Sequence, residues 1–171
     1  MKQLTHYNSK FKERRFPIVL VCDNVNNAPN IGSLFRTADA FGIEKLILCG
    51  EHIHLGRKIK KTSRATEKTV SFEMEKDINS VLLQLKNENY KLVSLEITEN
   101  SSPIRKYKFA GEKPIALIVG AENEGISEEV LKLSDTVLHI DMFGLNSSMN
   151  VVQASTIALY EITSQLQNTS E

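Results

Sequence analysis

Residues 17–49 read PIVLVCDNVNNAPNIGSLFRTADAFGIEKLILC, and the order of apolar and turn-forming residues in them indicates the class of fold. An apolar run of strand length, 17–22, is followed by turn-forming residues at 26–32 and then by apolar residues at helical spacing. Gly42 marks the end of that helix, and a second apolar run follows at 45–49. Continuous apolar runs are typical of strands buried on both faces, so the stretch predicts a strand, a helix and a second, parallel strand.

The rest of the chain continues this alternation. Further strands are predicted at 69–74, 91–97, 115–119 and 137–140, and further helices at 78–85, 128–133 and 151–166. The pattern predicts the α/β class, with a single-domain, mostly parallel sheet and helices on both faces. At 171 residues the chain has the length of one domain, 1–171, with a basic N-terminal segment at 1–15 and a frayed tail at 167–171.

Charge is distributed unevenly along the chain. Its 21 Lys and Arg residues balance 21 Asp and Glu, which by itself argues against a nucleic-acid-binding protein. Segments 1–15 and 57–68, however, carry net charges of +4 and +5, and the remainder carries −9. A solvated helix face would explain either segment alone, but two of them favour an anionic partner. The candidate contacts are Arg14, Arg15, Arg57, Lys58, Lys60, Lys61 and Arg64.

Other features disfavour several classes of protein. No apolar run approaches the roughly 20 residues needed to span a bilayer, and the N-terminus lacks the apolar stretch of a secretory signal. Cys22 and Cys49 lie inside strand-like apolar runs, which favours buried thiols and a cytoplasmic protein over a disulfide framework. The four histidines show no ligand spacing, so no metal is expected.

Three loops follow strands at the predicted carboxyl edge of the sheet, where ligands bind in folds of this class: 23–32, 120–127 and 141–150. In the first, we expect Gly32 to let the backbone turn tightly and Asn30 to offer its amide. Arg36 follows among apolar helix positions, where a charge needs a partner or an active site. An ordinary surface position is the alternative for this arginine.

The second loop, GAENEGIS at 120–127, is close to a phosphate-binding P-loop, but Ile126 stands where the lysine must be. No G-x-G-x-x-G follows a strand, which argues against the usual dinucleotide-binding and Rossmann-like methyltransferase folds. Glu122 is left as a carboxylate after a buried strand, with helix capping as the structural alternative. The third loop ends in SSMN at 147–150, which offers polar chemistry or, alternatively, only caps for the next helix.

Together and in this order, the three loops resemble the motifs of the SpoU (TrmH) family of SPOUT superfamily RNA 2′-O-ribose methyltransferases. The motifs read NIGSLFRTADAFG at 30–42, IVGAENEGI at 118–126, and IDM through SMNV at 140–151. The resemblance covers nearly the whole chain. Met149 stands where the family usually has leucine, a departure that conserves side-chain volume.

The resemblance implies a sheet of five or six strands with a C-terminal trefoil knot, the alpha/beta knot of SPOUT proteins. It also implies S-adenosylmethionine as the methyl donor, with contacts around Leu95, Gly120, Ile140 and Met149. Members of the family are homodimers, so motif one and the final helix would lie at a subunit interface and each active site would be completed by both subunits.

The implied reaction is methyl transfer to a ribose 2′-hydroxyl of tRNA or rRNA. Arg36 would activate that hydroxyl electrostatically, because arginine is almost always protonated. Glu122 would orient the arginine or the cofactor. The remaining catalytic candidates, Asn30, Ser148 and Asn150, would hold the RNA phosphate or the arginine. With no added RNA-binding domain expected, the basic segments of the catalytic dimer would contact the RNA.

Two other functions are kept as alternatives. A non-catalytic RNA-binding or assembly factor on the same fold predicts loss of the arginine, glutamate, serine and asparagine set, and this set is present. An unrelated α/β nucleotide-binding enzyme predicts a phosphate-binding loop, and this loop is missing from the sequence.

Overall fold

The computed structural model describes residues 12–51, 53–109 and 113–168. Its strands are β1 (Phe16–Asp23), β2 (Ile43–Cys49), β3 (Phe72–Glu75), β4 (Lys91–Leu95), β5 (Ser102–Pro103), β6 (Ile115–Gly120) and β7 (Thr136–His139). Its α-helices are α1 (Ala28–Ala40), α2 (Arg57–Ser63), α3 (Ile78–Asn87), α4 (Glu128–Leu133) and α5 (Val151–Asn168). In these ranges no helix has the length and apolar content needed to cross a membrane.

The strands form one seven-stranded sheet in the order β3-β2-β1-β6-β4-β7-β5. Every strand pairing in it is parallel, which confirms the predicted α/β class and the strand, helix and strand read from 17–49. β1 is an interior strand that pairs with β2 on one side and with β6 on the other. Its buried position explains its nearly unbroken apolar sequence.

Two apolar cores cover the two faces of this sheet. Leu20 of β1 packs in one core with Leu34 of α1 and Leu159 of α5. Val21, the next residue of β1, packs in the other core with Leu82 of α3 and with residues of α4. Successive side chains of a strand point to opposite faces, so the helices lie on both faces of the sheet as predicted.

Several elements differ from the sequence predictions: β4 ends at Leu95 rather than 97, and β7 covers 136–139 rather than 137–140. The sheet has seven strands rather than five or six, because β5 adds a pairing of only two residues. The helix α2 was not predicted within the basic segment. β3 begins at Phe72 rather than 69, since Thr69 and Val70 donate hydrogen bonds back to the Thr66 carbonyl and hold a turn. The helix α5 continues to Asn168, so residues 167 and 168 are helical and do not belong to the frayed tail predicted at 167–171.

The expectation that Gly32 permits a tight turn is wrong. Gly32 is buried on the second turn of α1, where α2 packs against it. A Cβ at this position would lie 2.7 Å from the Ile59 carbonyl oxygen and 2.7 Å from Thr62 Cβ. The glycine therefore permits close approach of two helices. Gly42, with a φ of +56°, does end the helical segment as predicted.

The strand order brings three connections together at the carboxyl edge. β7 lies between β4 and β5, so that Leu138 pairs with both Leu95 and Ser102. The Glu96 backbone N–H continues this contact by donating to the Leu138 carbonyl at 2.8 Å. The connections that leave β4, β6 and β7 consequently meet around one space beyond the strand ends.

Candidate active site

A cavity of about 340 Å³ lies between the ends of β4, β6 and β7. Leu95, Gly120, Ile140 and Met149, which the resemblance implied as cofactor contacts, all line it. Val119, Val151 and Ala154 add apolar wall, while Glu96, Glu122, Ser147 and Ser148 add polar groups. The structure thus places all four predicted positions at one site, whose size is within the range of small-molecule pockets.

The second loop forms a tight turn that presents Glu122. The Gly125 N–H donates to the Ala121 carbonyl at 2.8 Å, and Gly125 has a φ of +66°. A Cβ on Gly120 would lie 2.2 Å from the Gly125 carbonyl carbon, so only glycine fits there. Sequence reasoning missed Glu96, whose Oε2 accepts a hydrogen bond from the Ile126 N–H at 3.0 Å and ties this turn to β4. An acidic residue directly after a buried strand was the available signal.

The Glu122 carboxylate joins all three loops. Its Oε1 accepts hydrogen bonds from Asn30 Nδ2 and from Asn150 Nδ2, each at 2.6 Å. The Asn150 amide nitrogen also lies 3.2 Å from Asn30 Oδ1. Asn150 Oδ1 in turn accepts from the Val152 N–H at 2.9 Å, so this asparagine caps α5 as well. Three of the five predicted catalytic residues therefore form one hydrogen-bonded group at the cavity rim.

Arg36 stands apart from that group within the chain. It is exposed on the third turn of α1, about 9 Å along the helix axis from Asn30. It has no hydrogen bond or ion pair with any of the residues described. The expected orienting contact from Glu122 to this arginine is thus not made within one chain, where the asparagines occupy the carboxylate instead. Ser148 is exposed and lines the cavity.

A buried carboxyl group lies next to the turn. Asp23, the last residue of β1, is only 4% exposed and pairs in register with Gly120. Burial raises the pKa of Asp23; a hydrogen bond from the Ser127 backbone opposes this, and the charge of Glu124 adds to it. The sequence offered no signal for this residue beyond its place at the strand end.

A second polar group borders the cavity at His139. Ser101 Oγ lies 2.9 Å from His139 Nδ1, and His139 Nε2 lies 3.7 Å from Asp141 Oδ1. The hydroxyl also donates to the Thr98 carbonyl at 2.8 Å, which commits it to a turn rather than to nucleophilic attack. Arg105 Nε donates to Asp141 at 2.6 Å, and this hydrogen bond is the main cause of a lowered pKa for Asp141.

The predicted anion contacts lie in two separate places. Ile59 is buried, and the cations of and beside α2 are exposed around it: Arg57, Lys58, Lys60, Lys61 and Arg64. Arg14 and Arg15 are also exposed but precede β1, at the amino edge of the sheet. The first eleven residues of the basic segment 1–15 lie outside the described residues. Of the described cations, Arg14 and Arg15 thus lie at the edge of the sheet opposite to the one where β1 leads into α1.

The described cysteines and possible metal ligands were the other chemical groups that the sequence raised. Cys22 and Cys49 are free and buried, as the sequence predicted. Among the residues the structure describes, no group of three or more His, Cys, Asp and Glu side chains could hold a metal ion. The polar groups that line the cavity are carboxylate, hydroxyl and imidazole, and the Asn30 and Asn150 amides bond to the carboxylate of Glu122.

Comparison with known proteins adds independent findings. Residues 17–160 match the model of the SpoU rRNA Methylase family. A tRNA (guanosine(18)-2′-O)-methyltransferase of Aquifex aeolicus is 31% identical over 163 residues, which cover 94% of this chain and 75% of that protein. The enzyme of the same name from Escherichia coli K12 is 28% identical over 91% of this chain and 67% of its own length.

Solved structures resemble the fold closely. The A. aeolicus TrmH/SpoU tRNA modifying enzyme has a TM-score of 0.82 and 28% identity, covering 92% of this chain and 79% of that one. The SpoU methyltransferase AviRb from Streptomyces viridochromogenes, in complex with the cofactor AdoMet, has a TM-score of 0.79 and 26% identity, covering 95% and 64%.

Proposed function

The chain belongs to the SpoU rRNA Methylase family, and from this premise we propose how its own residues carry out the reaction. It is an S-adenosylmethionine-dependent enzyme that transfers a methyl group to a ribose 2′-hydroxyl of tRNA or rRNA. The observation that carries the proposal is the Glu122 carboxylate, held by two asparagine amides at the rim of an apolar cavity.

The cavity suits S-adenosylmethionine in size and chemistry. Its walls are mainly apolar around Leu95, Ile140 and Met149, and its backbone curves at Gly120. A cofactor without a phosphate needs no phosphate-binding loop, which fits the lysine missing at Ile126. When bound, the cofactor supplies a methyl group on a positively charged sulfur. Glu96 and Glu122 at the lining would favour that positive charge.

Glu122 orients the site through its two asparagine partners. A carboxylate that accepts two amide hydrogen bonds is fixed in direction, and the bond from Asn150 ties that direction to the start of α5. Asn30 sets the same direction from α1. Ser148 completes the rim with an exposed hydroxyl that would bind the phosphate next to the target ribose.

Arg36 acts on the ribose from a second subunit. Within one chain it has no described partner, and it lies on the helix that the resemblance places at a dimer interface. On α5, Ile157 is 42% exposed and Tyr160 is 65% exposed one turn later, an apolar pair suited to a partner helix. We therefore place Arg36 of the partner subunit beside Glu122 in a homodimer.

The chemistry follows from these positions. When bound against Leu95, Ile140 and Met149, S-adenosylmethionine would supply an electrophilic methyl group to the ribose 2′-oxygen, whose proton would pass to water or to the neighbouring phosphate. The guanidinium of Arg36 stabilises the negative charge that develops on the 2′-oxygen, and the rim amides keep the ribose aligned. S-Adenosylhomocysteine and the 2′-O-methyl ribose are the products.

RNA binding is assigned to the exposed cations. The cations of α2 are close to the site, because α2 packs against α1 at Gly32, two residues after Asn30. Arg14 and Arg15 lie at the other edge of the sheet, where they would contact a different part of the same RNA. Phosphate contacts of this kind make affinity fall as salt rises.

We also expect the knot and the single domain that the resemblance implied. β7 lies between β4 and β5, which are joined by residues 96–101 alone, and the chain leaving β7 must pass this connection before it reaches α5. We place the trefoil crossing there, within one domain spanning 1–171. Two buried free thiols fit a reducing compartment such as the cytoplasm.

The test uses heterodimers of two inactive chains. Arg36→Ala and Glu122→Gln are co-expressed with different tags and purified by both tags in turn. Each homodimer should have lost methylation of RNA, whereas the heterodimer, with one intact site of two, should recover about half of the wild-type activity. A heterodimer without activity would contradict the shared site, and an active Arg36→Ala homodimer would contradict the role of the arginine.

A further inference from the structure

The tip of the 141–150 loop exposes two large apolar side chains. Phe143 is 94% exposed and Leu145 is 107% exposed, whereas the other exposed large apolar side chains of the described residues range from 42% to 65%. A Cβ on the intervening Gly144 would meet nothing within 4 Å. The tip therefore projects from the body of the chain, and packing within the chain does not account for its apolar residues.

The base of the same loop belongs to the cofactor cavity. Met142 and Ser147, on either side of the tip, both line the cavity of about 340 Å³. Leu145 and Gly144 line an adjoining depression together with His139 and Asp141. Phe143 lies between Met142 and Gly144, so its exposed ring projects beside the mouth of the proposed methyl-transfer site.

Positive charge lies beside this tip. Asp141 holds Arg105 through the 2.6 Å bond to its Nε, while the Arg105 side chain stays 63% exposed. Lys106 and Lys108 are exposed on the same segment. An exposed aromatic ring two residues from Asp141, which Arg105 and Lys106 face, matches the two parts of a nucleotide, because the ring can stack on a base while the cations contact phosphates.

We propose that Phe143 is a substrate-binding residue that stacks on an unpaired nucleobase next to the methylated ribose, with Arg105 contacting the adjoining phosphate. The inference rests on the proposed function and narrows its substrate to RNA whose target lies in a loop or another unpaired region. Aromatic side chains bind single-stranded bases in this way with little dependence on base identity. Arg105, fixed by Asp141, then sets the register of the backbone.

Fluorescence tests the contact directly, since the chain contains no tryptophan. Phe143→Trp introduces one reporter, and Leu83→Trp, on the exposed face of α3, is its control. Unfractionated cellular RNA should quench the fluorescence at 143 but not at 83, and a blunt-ended RNA duplex should quench neither. The opposing result is that the tryptophan at position 143 emits at shorter wavelength before RNA is added and loses this shift when the protein is diluted to monomers. That result would show that a second copy of the chain covers the tip, and it would overturn the proposal.

Kinetics provide the second measurement. Phe143→Ala should raise the KM for RNA about tenfold or more, leave the KM for S-adenosylmethionine unchanged, and leave the dimer intact. Phe143→Tyr should restore the wild-type KM because it keeps the ring, and Leu83→Ala should have no effect. If the wild-type protein methylates RNA and Phe143→Ala has the same KM for RNA, the stacking proposal is refuted. Failure of the proposed function would instead appear as wild-type protein that methylates no RNA.

Discussion

Replacing Gly32 by alanine tests the packing that connects the site to the basic helix. In an isolated helix the change should be stabilising by about 1 kcal/mol, because alanine has the higher helix propensity. In this fold the added Cβ would lie 2.7 Å from the Ile59 carbonyl oxygen and 3.0 Å from the Ser63 nitrogen, both of them backbone atoms that no rotamer change can move. We therefore predict the opposite sign.

The magnitude follows from the overlap. Ordinary van der Waals contact begins near 3.4 Å, so the backbone of α2 must move away by about 0.7 Å or more. Overpacking of this kind costs about 1–3 kcal/mol, and rigid backbone partners favour the upper half of that range. After the propensity gain, the free energy of unfolding should fall by about 1–2 kcal/mol, which for a chain of this size lowers Tm by about 2–8 °C.

Urea unfolding at fixed protein concentration measures the change, and Gly144→Ala is the matched control. A Cβ at Gly144 has no neighbour within 4 Å, so that variant should be as stable as wild type or slightly more so. Because α2 carries exposed cations, Gly32→Ala should also weaken RNA binding. A Gly32→Ala protein as stable as wild type, with unchanged RNA affinity, would refute the close contact between α1 and α2.

Three further predictions concern charge and thiols. Burial raises the pKa of Asp23, so its ionised form opposes folding, and the stability present in acid is lost as pH rises through the raised pKa. Asp23→Asn should therefore raise the free energy of unfolding more at pH 7 than at pH 4.5. An equal change at both pH values would contradict this. Burial also raises the pKa of the Cys49 thiol to about 12 and raises the pKa of the Cys22 thiol. A thiol reagent at pH 8 should therefore modify neither cysteine in the native protein and both cysteines in urea. Replacing Lys60 and Lys61 together by alanine should reduce the slope of log affinity for RNA against log salt concentration by about one to two phosphate contacts. A slope equal to that of the wild type would show that α2 does not contact the RNA.

Much of the fold could be predicted because it follows local patterns. The apolar runs that became β1, β2 and β6 have too few polar residues to be surface strands, and the glycine after α1 has the positive φ that its position required. The loops that carry Glu122 and Asn150 were found because parallel strands all end at one edge. Their hydrogen bond, between residues 28 positions apart, confirms that the two loops meet.

Other features depend on contacts that no local pattern records. Gly32 looked like a turn residue because its neighbours are turn formers, and only the docked α2 explains it. The two-residue strand β5 is set by the position of β7 rather than by its own sequence. Glu96 was missed because its partner, the Ile126 N–H, lies in a different loop. Arg36 makes no described contact with Glu122, whose carboxylate is taken by Asn30 and Asn150, so its place in the site stays a prediction.

The chemical form of the product shows whether this protein methylates the ribose 2′-hydroxyl of RNA. Wild-type protein is incubated with cellular RNA and S-adenosylmethionine labelled in its methyl group, and the RNA is then hydrolysed with alkali. Alkaline cleavage of RNA needs a free 2′-hydroxyl, so ribose methylation predicts that the label is found in alkali-resistant dinucleotides. The Arg36→Ala variant should transfer no label to RNA. Label recovered in mononucleotides would mean methylation of a base, and unlabelled RNA would mean no transfer, and either result would contradict the account.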